Sequence, residues 1–424
     1  MTANSSIIET HITPGTTIKP RFLDGIAKRA LLKRLNDLCD GKLILIDGDL
    51  RYEFGKVTSR CSLTATIRVK HPRFYSDIAF GGSIGAGEAY MADYWETSDL
   101  TNVVRILLAN RNVLDGMEGG LASITAPIQK TLHWLNRNTQ TGSRRNIAAH
   151  YDLGNDLFQL MLDDTMMYSS AIFQHDDMSL YDAQIYRLDT ICRKLDLQPS
   201  DHLLEIGTGW GGLSIHAAKH YGCRVTTTTI SQEQYDLACE RIEQQGLNDR
   251  ITILLQDYRD LDGQYDKLVS VEMIEAVGHQ FYDAYFSKCG QLLKPDGLML
   301  LQAITIADQQ FESAKRSVDF IQRYIFPGSC IPSITAMVRS ITQSSDMRLV
   351  DLTDIGPHYA TTLRKWRENV ADNTIRLKEL GYNNEFLRMW EFYLCYCEGG
   401  FIERAIGDAH MLLAKPDNRR QCMA

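Results

Sequence analysis

The sequence predicts an α/β protein: a doubly wound, mostly parallel sheet wrapped by helices, with a smaller α+β domain ahead of it. Three observations predict this. From about residue 200, short apolar runs alternate with segments of helical spacing. A cluster of glycines follows the first of those runs. Ahead of it lies a mixed region of strands and helices, closed by a polar stretch that ends near residue 145. A chain of 424 residues suits two domains.

The elements follow in order. "RFLDGIAKRALLKRLNDL" (21–38) puts Leu23, Ile26, Ala27, Ala30, Leu31, Leu35 and Leu38 on one side of a helical wheel. Arg21, Lys28, Arg29 and Lys33 fall mostly on the other side, and Arg34 intrudes on the apolar one. "KLILIDGDLRYEFG" (42–55) and "LTATIRVKHPRFYSDIAF" (63–80) alternate as half-buried strands do. Residues 81–111 return to helical spacing. "APIQKTLHWLNRNTQTGSRR" (126–145) ends in Thr, Gly, Ser and Arg and reads as a linker. Then "HLLEIGT", "CRVTTTTI", "ITILLQ", "DKLVSVE" and "LMLLQAIT" read as strands. "QEQYDLACERIEQQ" and "FYDAYFSKCGQLL" read as helices between them, and "MRLVDLTDI" and "HMLLAKP" as late strands.

Composition narrows the function. A net charge of −8 disfavours a nucleic-acid partner, which needs a basic excess to neutralise phosphates. No apolar run reaches the roughly 20 residues of a membrane span. The first residues lack the basic-then-apolar layout of a signal peptide. Ten scattered cysteines show no zinc spacing and fit reduced thiols in a cytoplasmic protein. No metal site is expected.

In a doubly wound sheet, ligands sit beyond the carboxyl ends of the strands. "EIGTGWGG" (205–212) lies at the first such end. Its glycines lack the dinucleotide spacing G-x-G-x-x-G, and the acid Glu205 precedes them. That combination suits a smaller, cationic, phosphate-free ligand, S-adenosylmethionine. "TTISQEQ" (228–234) supplies polar groups for ribose hydroxyls after the second strand. Asp257, in "LLQDYRDL" after the third, can accept from an adenine amino group.

These stretches, with "HYDLGNDLFQLMLDDTMMYSSAIF" (150–173), "VSVEMIEAVG" (269–278), "YIFPGSCIPS" (324–333) and "DIGPHYATTLRKW" (354–366), resemble the cyclopropane-fatty-acyl-phospholipid synthase family. More distantly they are similar to mycolic acid methyltransferases. The match is dense from about residue 144 to 410. The resemblance implies a Rossmann-like methyltransferase sheet at 146–424, a linker at 126–145 and an N-terminal lipid- or membrane-binding domain at 1–125. It implies a cofactor site in which Tyr168 and Ser169 close over the methionine end and Glu205 leads into the loop lined by Gly207, Gly209 and Gly211. Thr229, Ile230 and Gln234 would hold the ribose, and Asp257 and Tyr258 would flank the adenine. It also implies a homodimer acting on unsaturated phospholipid from the inner face of the membrane, as a peripheral protein.

The implied chemistry is demanding. An alkene is a weak nucleophile and needs the sulfonium methyl as electrophile. The resulting cation loses a proton from the new methyl group to close a ring. The site must therefore exclude water and hold a base. The resemblance implies bicarbonate as that base. Its ligands, carried over by position, are Glu275, the backbone or side-chain groups of Ser170 and Ile304, Gln302 and Tyr359. Three departures stand out: Ser170 replaces the usual cysteine, Ala276 a histidine, and Gln302 another histidine. Cys397 matches a cysteine of the family, and packing is its expected role. The expected activity is cyclopropanation. A methyl-branched or methylene lipid product is the alternative within the class, and a non-catalytic lipid-binding protein the alternative outside it.

Overall fold

The computed structural model describes residues 22–114 and 154–419. The expected linker at 126–145 lies outside the described residues. The chain divides into two compact units. One comprises Met1–Leu132, Ser317–Ile325 and Asp372–Ala405; the other comprises His133–Arg316, Phe326–Ala371 and Ile406–Ala424. The sequence reading placed 146–424 in one block. In the structure two stretches of that block belong with the N-terminal segment instead.

The first unit holds a four-stranded sheet. β1 (Gly41–Asp47) and β2 (Leu50–Lys56) form an antiparallel hairpin through Gly48, whose φ of +59° favours glycine. β3 (Thr64–Val69) runs parallel to β1, and the short β4 (Trp95–Thr97) pairs antiparallel with β3. Two stretches depart from the sequence reading. Residues 73–80, read as strand, open the helix Arg73–Met91. Pro72 already holds helical torsions there, and Phe74, Tyr75 and Ile78 bury one face. Residues 95–97, read as helical, form β4, and the helix Leu100–Ala109 starts afresh where Asp99 accepts from the amide of Asn102. The helix Asn384–Ile402 joins this unit. Glu398 accepts from Thr101 Oγ1 at 3.0 Å, and Glu403 pairs with Arg105 at 2.7 Å. Gly399 lets the two helices approach: a Cβ there would lie 2.8 Å from Val104.

The helix Phe22–Leu35 forms, but on a different wheel from the expected one. Asp24, Ala27, Leu31 and Leu35 are buried. Phe22, Leu23 and Ile26 are exposed, Phe22 at 83%. Lys28 does not join an outer basic face. It pairs with Asp47 at 2.5 Å and lies over the rings of Tyr52 and Tyr75. Arg29 and Lys33 remain exposed, on the same side as Phe22 and Ile26.

The second unit is the doubly wound sheet that the sequence predicts. Its strands are β5 (His202–Ile206), β6 (Arg224–Thr229), β7 (Ile251–Leu255), β8 (Tyr265–Val271), β9 (Leu293–Ile306), β10 (Arg348–Asp354) and β11 (Ile406–Ala414). They lie in the order β10-β11-β9-β8-β5-β6-β7. β5 to β9 are mutually parallel, and β11 runs antiparallel to both β9 and β10. Both faces are buried, and in β9 apolar residues run without a break from Leu298 to Leu301. Leu204, Leu268, Met299 and Leu301 enter one core; Leu203, Val269, Leu298 and Leu300 enter the other. β5 lies between β6 and β8, so the strand order reverses at its carboxyl end. That reversal opens the crevice in which such sheets bind ligands.

Candidate functional site

The glycine loop leaves β5 at this crevice. Gly207, Gly209 and Gly211 have φ of +102°, +52° and +84°. Such torsions favour glycine, which is why the loop carries three. A Cβ built on Gly209 meets nothing within 4 Å, so open space faces this turn. The amides of Gly207 and Thr208 are held by the Thr228 carbonyl of β6, both at 3.0 Å. Glu205, at the end of β5, is buried. Its Oε2 accepts from Ser214 Oγ and, at 2.7 Å, from Thr227 Oγ1. It thus braces the loop from beneath, and burial pushes its pKa up to about 7.

The segment 163–171 lies beside the loop. Arg241 fastens it, donating to the carbonyls of Asp164 and Thr165 as well as to that of Trp210 inside the loop. A Cβ on Gly212 would lie 2.5 Å from the Thr165 carbonyl, so only glycine admits the segment this closely. Gln184 donates to the Ser169 carbonyl at 2.9 Å. The Tyr168 ring packs against Phe158, Phe326 and Trp366. Ser169 Oγ is buried with no hydrogen-bond partner among the described residues. An open cradle and an orphaned hydroxyl fit a polar ligand such as the methionine end of S-adenosylmethionine.

Other expected cofactor residues are engaged by protein groups. Thr229 Oγ1 donates to Gln234 Oε1 at 2.8 Å, which ties the end of β6 to the helix Gln232–Gln244, and Ile230 follows half-buried. Asp257 accepts from Arg259 with both oxygens, at 2.8 and 2.7 Å, in a bidentate pair that fixes its carboxylate after β7. The Tyr258 ring packs edge-on against Tyr285.

The expected base site assembles around a different acid. Ser170, Gln302 and Tyr359 come together as the sequence suggests, but not on Glu275. All three donate to Glu272, the residue that follows β8. The Ser170 amide reaches Oε1 at 2.9 Å, Gln302 Nε2 reaches Oε1 at 2.7 Å, and the Tyr359 hydroxyl reaches Oε2 at 2.6 Å. Glu275 instead accepts from the Ile304 amide, and its Oε2 has no partner among the described residues. The donors expected to hold bicarbonate are therefore occupied by a side chain of the chain itself, and the residues present do not fit that ion. Cys397 is not in this cluster. It sits on the helix Asn384–Ile402 of the first unit, where burial and Asp319 hold its thiol well above the usual range.

Sequence reasoning missed four members of the cluster: Glu272, Arg187, Asp408 and His410. Sheet register explains two of them. His410 pairs with Gln302 and Asp408 with Ile304 across β11 and β9, so all four share a face. The Gln302 amide is fully used. Its Oε1 accepts from Arg187 at 3.5 Å and pairs with His410 Nε2 at 3.1 Å, while its Nε2 donates to Glu272 and Asp408. Arg187 is wholly buried and keeps its charge. Burial, then the Glu272 and Glu275 charges, push the Asp408 pKa well up. Burial, then Glu272, push Glu275 to about 8. Burial holds His410 neutral. Glu272 is also raised by burial, but Tyr359, Ser170 and Arg187 oppose the rise.

Two predictions follow from this geometry. Gly209→Val should weaken S-adenosylmethionine binding by more than about tenfold in a folded protein, since a branched side chain fills the cradle and resists φ of +52°. Calorimetry checks this. The second concerns pH. Glu275 holds its proton up to about pH 8, against an ordinary value of 4.5, so the folded state binds more protons than the unfolded state between them. Its contribution to stability is complete below pH 4.5 and is lost as pH rises through about 8. Glu275→Gln should therefore flatten the fall in unfolding free energy between pH 5 and 8, read by denaturant titration at each pH.

Comparison with known proteins agrees with the fold. Residues 138–411 match the family described as mycolic acid cyclopropane synthetase. A tuberculostearic acid methyltransferase of Mycobacterium tuberculosis is 41% identical over 340 residues, covering 76% of this chain and 76% of its own. The cyclopropane-fatty-acyl-phospholipid synthase of Escherichia coli K12 is 40% identical over 357 residues, covering 81% of this chain and 86% of its own. Among solved structures, the mycolic acid cyclopropane synthase CmaA1 complexed with SAH and CTAB superposes with a TM-score of 0.60. It has 32% identity and covers 64% of this chain and 98% of its own. With its glycine loop at the strand reversal and its acid cluster at the carboxyl ends of β8 and β9, the chain belongs to the mycolic acid cyclopropane synthetase family.

Proposed function

We propose that this protein transfers the methyl group of S-adenosylmethionine to the cis double bond of unsaturated acyl chains in membrane phospholipids, forming a cyclopropane. One observation carries the reading: the glycine cradle and the acid cluster adjoin. A Cβ on Gly207 would lie 3.4 Å from Met273, the residue after Glu272. Ser170, bonded to Glu272, follows directly on the Tyr168–Ser169 pair. A methyl donor in the cradle therefore delivers its electrophile beside a proton acceptor, as the chemistry requires. The relatives named above are lipid methyltransferases and cyclopropane synthases, which supports the same class.

A second reading rests on the tuberculostearic acid methyltransferase at 41% identity. In that reading a hydride shift moves the cation to the methylated carbon, and proton loss then leaves an exomethylene or a methyl-branched alkene; a saturated branch needs a separate hydride donor. Both readings share the first step. Incubating the protein with unsaturated phospholipid vesicles and methyl-labelled S-adenosylmethionine, then analysing the acyl chains by mass spectrometry and NMR, separates them. Ring-methylene resonances at high field support cyclopropanation, a labelled methyl or exomethylene group supports the second, and no label in lipid removes both.

The substrate lies in a membrane, so the protein must reach one. Among the described residues no helix is long and apolar enough to cross it. We assign peripheral contact at the inner face of the membrane to the helix Phe22–Leu35, whose exposed Phe22, Leu23 and Ile26 lie beside Arg29 and Lys33. A homodimer, as the family resemblance implies, would present two such helices. Arg29→Glu with Lys33→Glu should weaken binding to anionic vesicles by about tenfold or more, and to neutral vesicles far less. Vesicle sedimentation checks this.

A further inference from the structure

We propose that the Glu272 carboxylate is itself the base that takes the final proton, in place of any bicarbonate ion. The inference rests on the methyl-transfer reading above. Its first ground is the hydrogen bonding. Glu272 collects the Ser170 amide, the Gln302 amide and the Tyr359 hydroxyl, which is the donor set an anionic base would need here. The three hold an ionised carboxylate in place without protonating it.

Its second ground is the backbone. Glu272 has φ of +48°, a left-handed torsion that favours glycine and that side chains rarely adopt. Strain of this kind persists where the surroundings fix it and clusters at functional sites. Here it turns the carboxylate onto its three donors. Its backbone amide is fixed as well, donating to the Gln302 carbonyl at 2.8 Å.

The third ground is charge. The cluster holds one fixed cation, Arg187, and three acids. A single carboxylate charge balances it, and Glu272 has the most donors. Glu275 has one donor, on Oε1, and Asp408 has one, on Oδ2; their other oxygens have none among the described residues. Glu272 is also the least buried of the three. Asp408 is fully buried and Glu275 is 8% exposed, while Glu272 keeps more accessible surface. The acid with the most donors is thus also the one whose residue is least covered.

The step balances without a further reactant. The alkene electron pair bonds to the sulfonium methyl carbon, and the carbon–sulfur pair departs with sulfur. Glu272 then accepts a proton from the new methyl group, and the freed carbon–hydrogen pair closes the ring. Glu272 is left as the neutral acid and gives its proton to water before the next turnover.

The test uses the full chain and two variants. The parent should turn over at the same rate in buffer stripped of carbon dioxide as in 10 mM bicarbonate (about that concentration saturates a millimolar site). Glu272→Gln keeps the shape and loses the base. It should be slower by about 10² or more, unrescued by bicarbonate, with S-adenosylmethionine binding intact. Glu272→Gly suits the left-handed torsion and vacates the donors. Bicarbonate or formate should bind to it and raise its activity at least tenfold, whereas ¹³C NMR should detect no bicarbonate bound to the parent. A parent that slows on depletion or binds bicarbonate, or a folded Glu272→Gln variant with full activity, overturns the proposal. If no variant and no parent methylates lipid, the functional reading fails instead, and the ¹³C binding comparison still decides whether Glu272 fills the anion site.

Discussion

A buried guanidinium sets the terms for the carboxyl edge of the large sheet. Arg187 has no exposed surface, and an unpaired charge in that position would be strongly unfavourable. Everything near it is arranged to answer one positive charge with one negative charge. Gln184 accepts from its Nε and NH2, Gln302 accepts from its NH1, and Glu272 supplies the counter-charge through the shared amide. Burial, then the neighbouring carboxylate charges, raise the pKa of Asp408 and Glu275. A structural need, keeping an arginine in the core, thereby produces a single poised carboxylate next to the crevice.

The crevice itself depends on close approach. Gly212 admits the 163–171 segment, Arg241 fastens it, and the segment then delivers Ser169 to the cradle and the Ser170 amide to Glu272. Cofactor site and base site share one stretch of backbone. A displacement at Met167 or Ser169 would be felt in both, so loop order and base orientation are one property of this fold.

Much of this was legible from sequence, for physical reasons. The strands of the large sheet were read because both of its faces are buried, which gives apolar runs such as 298–301 in β9. The glycine loop was read because left-handed torsions require glycine. Ser170, Gln302 and Tyr359 were read as partners, through resemblance, and they do converge. What sequence did not show was the acid at their centre. Glu272 stands three residues before Glu275 in the same motif, and nothing in one dimension says which carboxylate turns inward; the φ of +48° decides it. Arg187, Asp408 and His410 had no local signal, since they meet only through sheet register and a helix docked on it. On the helix Phe22–Leu35 the wheel misled because an acid, Asp24, is buried while Phe22, Leu23 and Ile26 are not. Periodicity records hydrophobicity, not which hydrophobic side is covered.

The interleaving of the two units has a consequence for how this protein can be divided. The helix Asn384–Ile402 is synthesised long after the N-terminal segment, yet it buries Trp390, Leu394 and Phe401 within that segment's unit, held by Thr101 and Arg105. On a ribosome, therefore, the first unit cannot complete its core until nearly the whole chain has emerged. Nor can a gene fragment ending near residue 145 encode it. Its strands are made early and its last helix late, so nascent chains must carry its unfinished apolar face through most of translation.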